Sequence, residues 1–374
     1  MSVVLLIIGL ILFIGLVVIH EFGHFLVARR NGVEVEEFGI GFPPKAWSKK
    51  TKGGFDFSVN WLPIGGFVKL KGESDSAKEK GSLGAASTWA KAKIMLAGVA
   101  MNLVVAFVLL TALAWLGLPK IIDNQFTVKS DTKVARNDVL AGYVEAKSPA
   151  AKAGIEPRDK LVAIGTKDDK VNINAAEDLP AITEAFAGQK VSITYDHKGK
   201  QVTKETTLRA TKEVEESKKT NNPKGYLGIS PTELTISRST WSAPIVGAGL
   251  IGQFTAATFQ GLGATIAALF QGEGHKAAEQ VSGPVGIVVL LKDGSLLGYQ
   301  FMLMIIAIIS LTLAIMNVLP IPALDGGRLF MVLLSRLFGK QISQEMEERI
   351  VGASFLLLMF LIVLITIVDV KRFF

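Results

Sequence analysis

The chain has 374 residues, 49% of them hydrophobic and 20% charged, with no cysteine and a formal net charge of +7. A soluble globular protein is about 25% charged, so an ordinary soluble enzyme is excluded, and the high apolar content excludes a disordered tail. Without cysteine there are no disulfides, thiolate metal sites or cysteine nucleophile, and the positive charge shows no aromatic-interleaved basic patch that would suit nucleic acid.

The charge is unevenly placed. Residues 119–240 hold 20 Lys/Arg and 17 Asp/Glu, half of all 73 charges in a third of the chain. Spanning a bilayer core of about 30 Å takes about 20 helical residues nearly free of charge. Residues 1–19, 94–119, 294–323 and 351–368 meet that condition.

The first block lacks the basic flank and small-residue cleavage site of a signal peptide, so it reads as a retained span. It runs into His20-Glu21-Phe22-Gly23-His24, an H-E-x-x-H string. On a helix, His20 and His24 share a face and can grip one metal ion. Glu21 beside them can take a proton from water that the metal has acidified. Ionisable groups at the end of an uncharged span cost about 2.5–3.5 kcal/mol each on insertion scales and are functional by default.

Residues 55–70 alternate in polarity and turn at Pro63–Gly66, the pattern of a β-hairpin, either one whose edge could pair with an unwound substrate or simply a cytoplasmic hairpin with an apolar face. The next span, 94–119, leads into the charged segment, an outer α/β domain. There 139–145, 161–164, 191–195 and 202–208 read as strands, 148–154 and 176–186 as helices, and 213–224 as a polar linker. The uncharged block 241–272 is rich in Gly, Thr and Gln and reads as a glycine-broken amphipathic helix lying at the membrane interface. Basic residues from Arg29 to Lys93 and from Arg328 to Arg349 place two loops in the cytoplasm and the charged domain outside, with Lys371 and Arg372 a weak contrary signal.

A catalytic zinc needs a third protein ligand and an open position. His197 and His275 sit in polar turns and read as solvated. Asp325, in the string N-x-x-P-x-P-x-L-D-G-G starting at Asn317, is the acidic residue at the same depth as the histidines. The alternative is that Asp325 only caps the helix after it. If block 241–272 crossed, Asp325 would fall on the opposite face from His24, so four spans are expected.

These two motifs resemble the site-2 protease family of intramembrane zinc metalloproteases, more narrowly its bacterial RseP type with a single PDZ domain. Gly39-Ile40-Gly41-Phe42, residues 63–69, Asn102 and residues 282–287 match flanking patterns, although Val99 replaces a usual proline and leaves a helix break there in doubt. The resemblance implies Zn2+ as cofactor, with His20, His24 and Asp325 as ligands and Glu21 as catalytic base. It implies that Asn317, with Gly65 and Gly66 of the hairpin, holds the substrate backbone. Partners would be single-span membrane proteins, anti-sigma factors or signal-peptide remnants among them, already cut by an upstream protease of site-1 type. The string from Ser148 to Ile164 resembles a bacterial protease PDZ domain, with Arg158 in place of a glycine. Leu140, Ala141, Gly142 and Tyr143 would form its carboxylate-binding loop. Peptide capture and a size filter suit that domain equally.

The expected fold is a polytopic α-helical membrane protein of about four spans, with a cytoplasmic-side membrane-associated β-hairpin and one extracytoplasmic PDZ-like α/β domain, in the cell's inner membrane. Its segments are 1–30 (first span), 31–90 (loop and hairpin), 91–119 (second span), 120–212 (PDZ-like domain) and 213–297 (linker and interfacial helix). Residues 298–327 (third span), 328–350 (cytoplasmic loop or helix) and 351–370 (fourth span) complete it. The competing readings are a metal-dependent transporter, disfavoured by the lack of an inverted repeat, and a silent PDZ-presenting scaffold, which would have no use for Glu21.

Overall fold

The computed structural model describes residues 2–166, 169–220, 222–274, 281–339 and 342–374. It divides into two units: Met1–Leu116 with Gln125–Val128 and Thr240–Phe374, and Gly117–Asn124 with Lys129–Ser239.

The first unit is built on helices. Its long apolar runs form α1 (Ser2–Arg30), α2 (Thr88–Met95), α3 (Ala97–Leu116), α7 (Ala243–Phe270), α8 (Pro284–Leu297), α9 (Tyr299–Val318), α10 (Asp325–Leu337) and α11 (Gln344–Phe373). Among the described residues, five helices are long and apolar enough to cross a membrane: α1, α2 with α3, α7, α9 and α11. α1 packs against α3, α8 and α9, and α3 against α9. Glycines bring these backbones close: a Cβ on Gly23 would lie 2.6 Å from the Ala97 carbonyl oxygen.

Several expectations shift here. The uncharged block 294–323 is not one helix, because Gly298 (φ +111°) separates α8 from α9 and Pro320 and Pro322 follow its end. Val99 lies inside α3, and the interruption of this span falls at Leu96, between α2 and α3. Block 241–272 forms one continuous 28-residue helix, α7, so its glycines do not interrupt it. At 1.5 Å per residue it is about 42 Å long.

β1 (Val35–Lys50) and β2 (Asp56–Leu70) are more than a hairpin turning at Pro63–Gly66. Residues 35–40 pair with 66–70 on one side and with 56–59 on the other, and 56–59 also pairs with 47–50. The two halves of β2 are therefore separated by β1, and 66–70 is an edge. The apolar Val35 and Phe38 of β1 are buried, which fixes that inner position.

The second unit is a seven-stranded antiparallel sheet. β3 (Leu118–Pro119), β9 (Ile229–Arg238), β4 (Lys133–Val144), β5 (Lys160–Gly165), β7 (Lys190–His197) and β8 (Lys200–Thr207) lie in that order, with β6 (Lys170–Asn172) on β5. α4 (Pro149–Lys152), capped by Ser148, and α5 (Asp178–Ala185) accompany a core of Val139, Leu161, Ile164, Val191, Ile193 and Tyr195. Two corrections follow. Residues 213–224 are not merely a linker: α6 (Thr211–Lys218) buries Val214, and the chain then adds β9 to the sheet beside β4. Leu140, Ala141, Gly142 and Tyr143 form no loop. They are part of β4, where Leu140 pairs with Thr232 on one side and Lys160 on the other, and Ala141 N–H donates to Asp159 O at 2.8 Å. The Ala141 N–H, so paired, is not open to a peptide carboxylate, while the β4–β9 register skips Gly142.

Candidate metal centre

Helical spacing and glycine together build the centre. His20 and His24 project from one face of α1, their ring centroids 4.8 Å apart. They lie over Gly98 of α3, where a Cβ would stand 2.4 Å from His24 Nε2 and 2.6 Å from His20 Nε2. Any other residue at 98 would occupy the space of the imidazoles.

Asp325 is the first residue of α10. It does not cap that helix: the N-cap is Leu324, and no side-chain cap bond is made. Its Oδ2 instead lies 3.0 Å from His20 Nε2 and 3.2 Å from His24 Nε2, and the two Nε2 atoms are 3.2 Å apart. The glycines after it serve the turn that delivers it. A Cβ on Gly326 would meet Val318 O at 2.1 Å, and one on Gly327 would meet Ile321 O at 2.0 Å. The Gly-Gly pair thus lets α10 fold back on the loop after α9, an approach to the chain's own carbonyls.

The donor set fits zinc. Two imidazole nitrogens and one carboxylate oxygen form a near-equilateral triangle, and tetrahedral ligands at about 2.0–2.1 Å from zinc stand about 3.3 Å from one another. His20 and His24 are both 7% exposed, dry enough to need a partner for each nitrogen. His24 Nδ1 donates to Ile94 O at 2.7 Å, which leaves its Nε2 lone pair free. His20 Nδ1 is 3.3 Å from the side-chain amide of buried Asn102, whose Oδ1 has no partner among the described residues. With the amide turned over, Oδ1 accepts the Nδ1 proton, and His20 Nε2 likewise becomes a ligand. The Ile94 carbonyl thereby holds His24 in the metal-binding tautomer, and the turned-over Asn102 amide would do the same for His20.

Glu21 lies beside this cluster and shares a cavity of about 180 Å³ with His24, Asp325 and Val68. Its Oε2 accepts the Val68 backbone N–H at 3.1 Å. Gly65 (φ +97°) and Gly66 bring the edge strand near: a Cβ on Gly66 would lie 3.0 Å from Gly39 O and 3.7 Å from Glu21 Cγ. Asn317 sits in the last turn of α9 and donates to Leu313 O of its own helix at 3.0 Å, so it does not join the triad. His197 belongs to the sheet unit, where Nδ1 is 3.0 Å from Asp159 Oδ1, and His275 lies outside the described residues. The sequence offers Asn102 only as a match to a flanking pattern, without a role toward His20, and Gly98 not at all. Their i, i+4 spacing, placing a gap and an amide on one helical face, was the available signal.

Comparison with known proteins agrees with this chemistry. The profile of peptidase family M50 matches residues 8–361. The "Putative zinc metalloprotease" of Clostridium perfringens is 30% identical, with 98% of each chain covered. That of Clostridium acetobutylicum is 31% identical over 99% of this chain and 98% of its own. A Staphylococcus aureus protein of the same description is 26% identical over the whole of both chains.

Proposed function

The chain belongs to peptidase family M50 and is a site-2-type zinc metalloprotease, and from that premise we propose that it cuts the membrane-spanning segments of single-span membrane proteins inside the bilayer. The observation that carries this reading is the junction of Asp325 with His20 and His24 within α1, a helix long and apolar enough to cross a membrane.

In this reading His20, His24 and Asp325 hold zinc, which when bound polarises the scissile carbonyl and lowers the pKa of water toward about 7. Glu21 accepts the proton of the attacking water at a carboxylate oxygen and passes it to the leaving amine. Asn102 and the Ile94 carbonyl keep the two imidazoles in register throughout. A helical substrate has its carbonyls bonded internally, so it must unwind before attack, and an unwound backbone in a dry site needs new partners. Edge strand 66–70 offers them by strand addition, with Gly65 and Gly66 keeping that edge close to Glu21. Asn317 reaches the substrate backbone by giving up its bond to Leu313 O.

The sheet unit is proposed to be PDZ-like and extracytoplasmic, opposite the basic loops, serving either to capture a peptide or to exclude bulky substrates. We place the protein in the inner membrane with four crossings. α7 stays at the interface, since a fifth crossing would put His24 and Asp325 on opposite faces. An upstream site-1-type cleavage would supply shortened substrates. The test is co-expression of Glu21→Gln with a single-span reporter. Cleavage should fall by about 10²–10⁴-fold with zinc retained, and parental cleavage by the variant would remove Glu21 as the base.

A further inference from the structure

Among the described residues, strand 66–70 pairs only with 35–40, so its other edge has no sheet partner there. Alternate N–H groups along a strand face the same side, which places the Val68 and Leu70 donors together, about 6.8 Å apart. That spacing matches two carbonyls, one residue removed from each other, on an extended peptide. Yet neither donor is open. Val68 N–H donates to Glu21 Oε2 at 3.1 Å, and Leu70 N–H donates to Glu73 Oε1 at 3.0 Å. Both strand residues and both carboxylates line the cavity that holds His24 and Asp325.

The second carboxylate has somewhere to go. Glu73 Oε2 accepts from Arg328 Nη2 at 3.0 Å, while Arg328 Nε is buried and has no hydrogen-bond partner among the described residues. Nε and Nη2 are the two donors of a guanidinium fork, which a carboxylate fills with both oxygens. The present arrangement uses half of that fork, because the other Glu73 oxygen is spent on Leu70. Glu73 and Arg328 also border a neighbouring cavity of about 490 Å³ lined by Ser74, Glu347 and Phe355, so there is room for Glu73 to move.

We propose that the substrate edge is held closed by the protein's own carboxylates: an extended substrate binds Val68 N–H and Leu70 N–H by displacing Glu21 and Glu73, and Glu73 withdraws into a bidentate pair with Arg328. This rests on the strand-addition reading above. It adds two backbone subsites, a residue that limits access to them, and a cation that receives it. Charged acceptors hold an N–H more tightly than a neutral carbonyl does. A segment that unwinds readily can meet that cost, whereas a firmly bonded helix cannot. Displacement from Val68 also releases Glu21 only when substrate is in place, which ties the base to occupancy of the site.

The absence of cysteine makes the test clean. Lys69→Cys, on the same strand, is placed in full-length Glu21→Gln protein in membranes and oxidised with a reporter carrying single cysteines along its span. Crosslinks should form, and adding Glu73→Ala should raise their yield. In the Glu21-intact protein, Glu73→Ala should lower the apparent KM roughly 3- to 10-fold, about the worth of one hydrogen bond, with the gain in kcat/KM carried by KM. Glu73→Gln keeps an acceptor but no charge and should fall between parent and alanine, which covers the case that the alanine variant folds poorly. Crosslinks with unchanged yield and KM in both variants would overturn the carboxylate closure and leave strand addition standing. No crosslink at any position would overturn both.

Discussion

The two units of this protein bury opposite things. In the sheet unit, Leu161, Ile164, Ile193 and Val191 are inside, and large apolar side chains on the outside are few. In the helical unit, Ile11, Val108, Leu356 and Phe360 face outward, while His20, His24, Asn102 and Lys91 are enclosed, Lys91 in an ion pair with buried Asp75. One unit is organised by water and the other by lipid. Where lipid removes the hydrophobic drive between helices, small residues and satisfied polar groups set the packing. The same burial of polar groups that positions the helices also brings together the candidate metal ligands, so packing and chemistry are joined there.

That contrast can be broken at several points. The largest effect is expected at the triad: Asp325→Ala or His24→Ala should abolish stoichiometric zinc in purified protein, measured by atomic emission, and retained metal would remove the residue from the ligand set. Gly98→Ala comes next. Its Cβ would stand 2.4 Å from His24 Nε2, so zinc affinity in a chelator competition should drop by about 10- to 100-fold, the usual worth of ligand orientation. Equal affinity would show that the imidazoles do not need the gap.

In the sheet unit, Ile193→Ala should destabilise by about 2–5 kcal/mol while leaving zinc content intact. Thermal melting of the full chain, followed with metal analysis, separates those outcomes, and zinc loss would mean that the two units are coupled. A smaller effect is expected for Asp369→Asn. Asp369 on α11 accepts the N–H groups of Gly283 and Gly286 at the start of α8, at 2.9 and 2.7 Å. Losing the charge should cost about 1.5–3 kcal/mol locally, read as faster amide exchange at 286–288. Unchanged exchange would assign that helix end to other contacts. Smallest of all should be Gly199→Ala in the β7–β8 turn, where a Cβ meets nothing within 4 Å and only the positive φ of +83° resists, worth about 1 kcal/mol.

How much of this was legible beforehand differs by residue. His20, Glu21 and His24 are readable because their relation is local, one helical turn apart. Asp325 is readable as a candidate because it stands in a sequence poor in charge, yet its capping alternative could be dismissed only by its place inside α10, its lack of a cap bond and its distance from the histidines. Residues 139–145 were readable as a strand from their apolar run, whereas the carboxylate-loop role of Leu140–Tyr143 came from the resemblance and not from that pattern. β9 was missed because a polar, lysine-rich stretch precedes it, and only its pairing with β4 reveals Leu234 and Ile236 as buried. The hairpin edge was anticipated, but not that β1 lies between the halves of β2.

The sequence by itself determined that no metal here could rest on cysteine, since there is none, and that apolar blocks would flank a charged third. Periodicity and composition act through near neighbours, so they carry such information directly. Only the tertiary structure decided that Gly98 makes room for the imidazoles, that Asn102 and Ile94 O orient them, and that Glu21 and Glu73 occupy the donors of the edge strand. Apart from Glu73 with Leu70, three positions apart, those contacts join residues 47 to 82 positions apart. Their geometry exists only once the helices have packed.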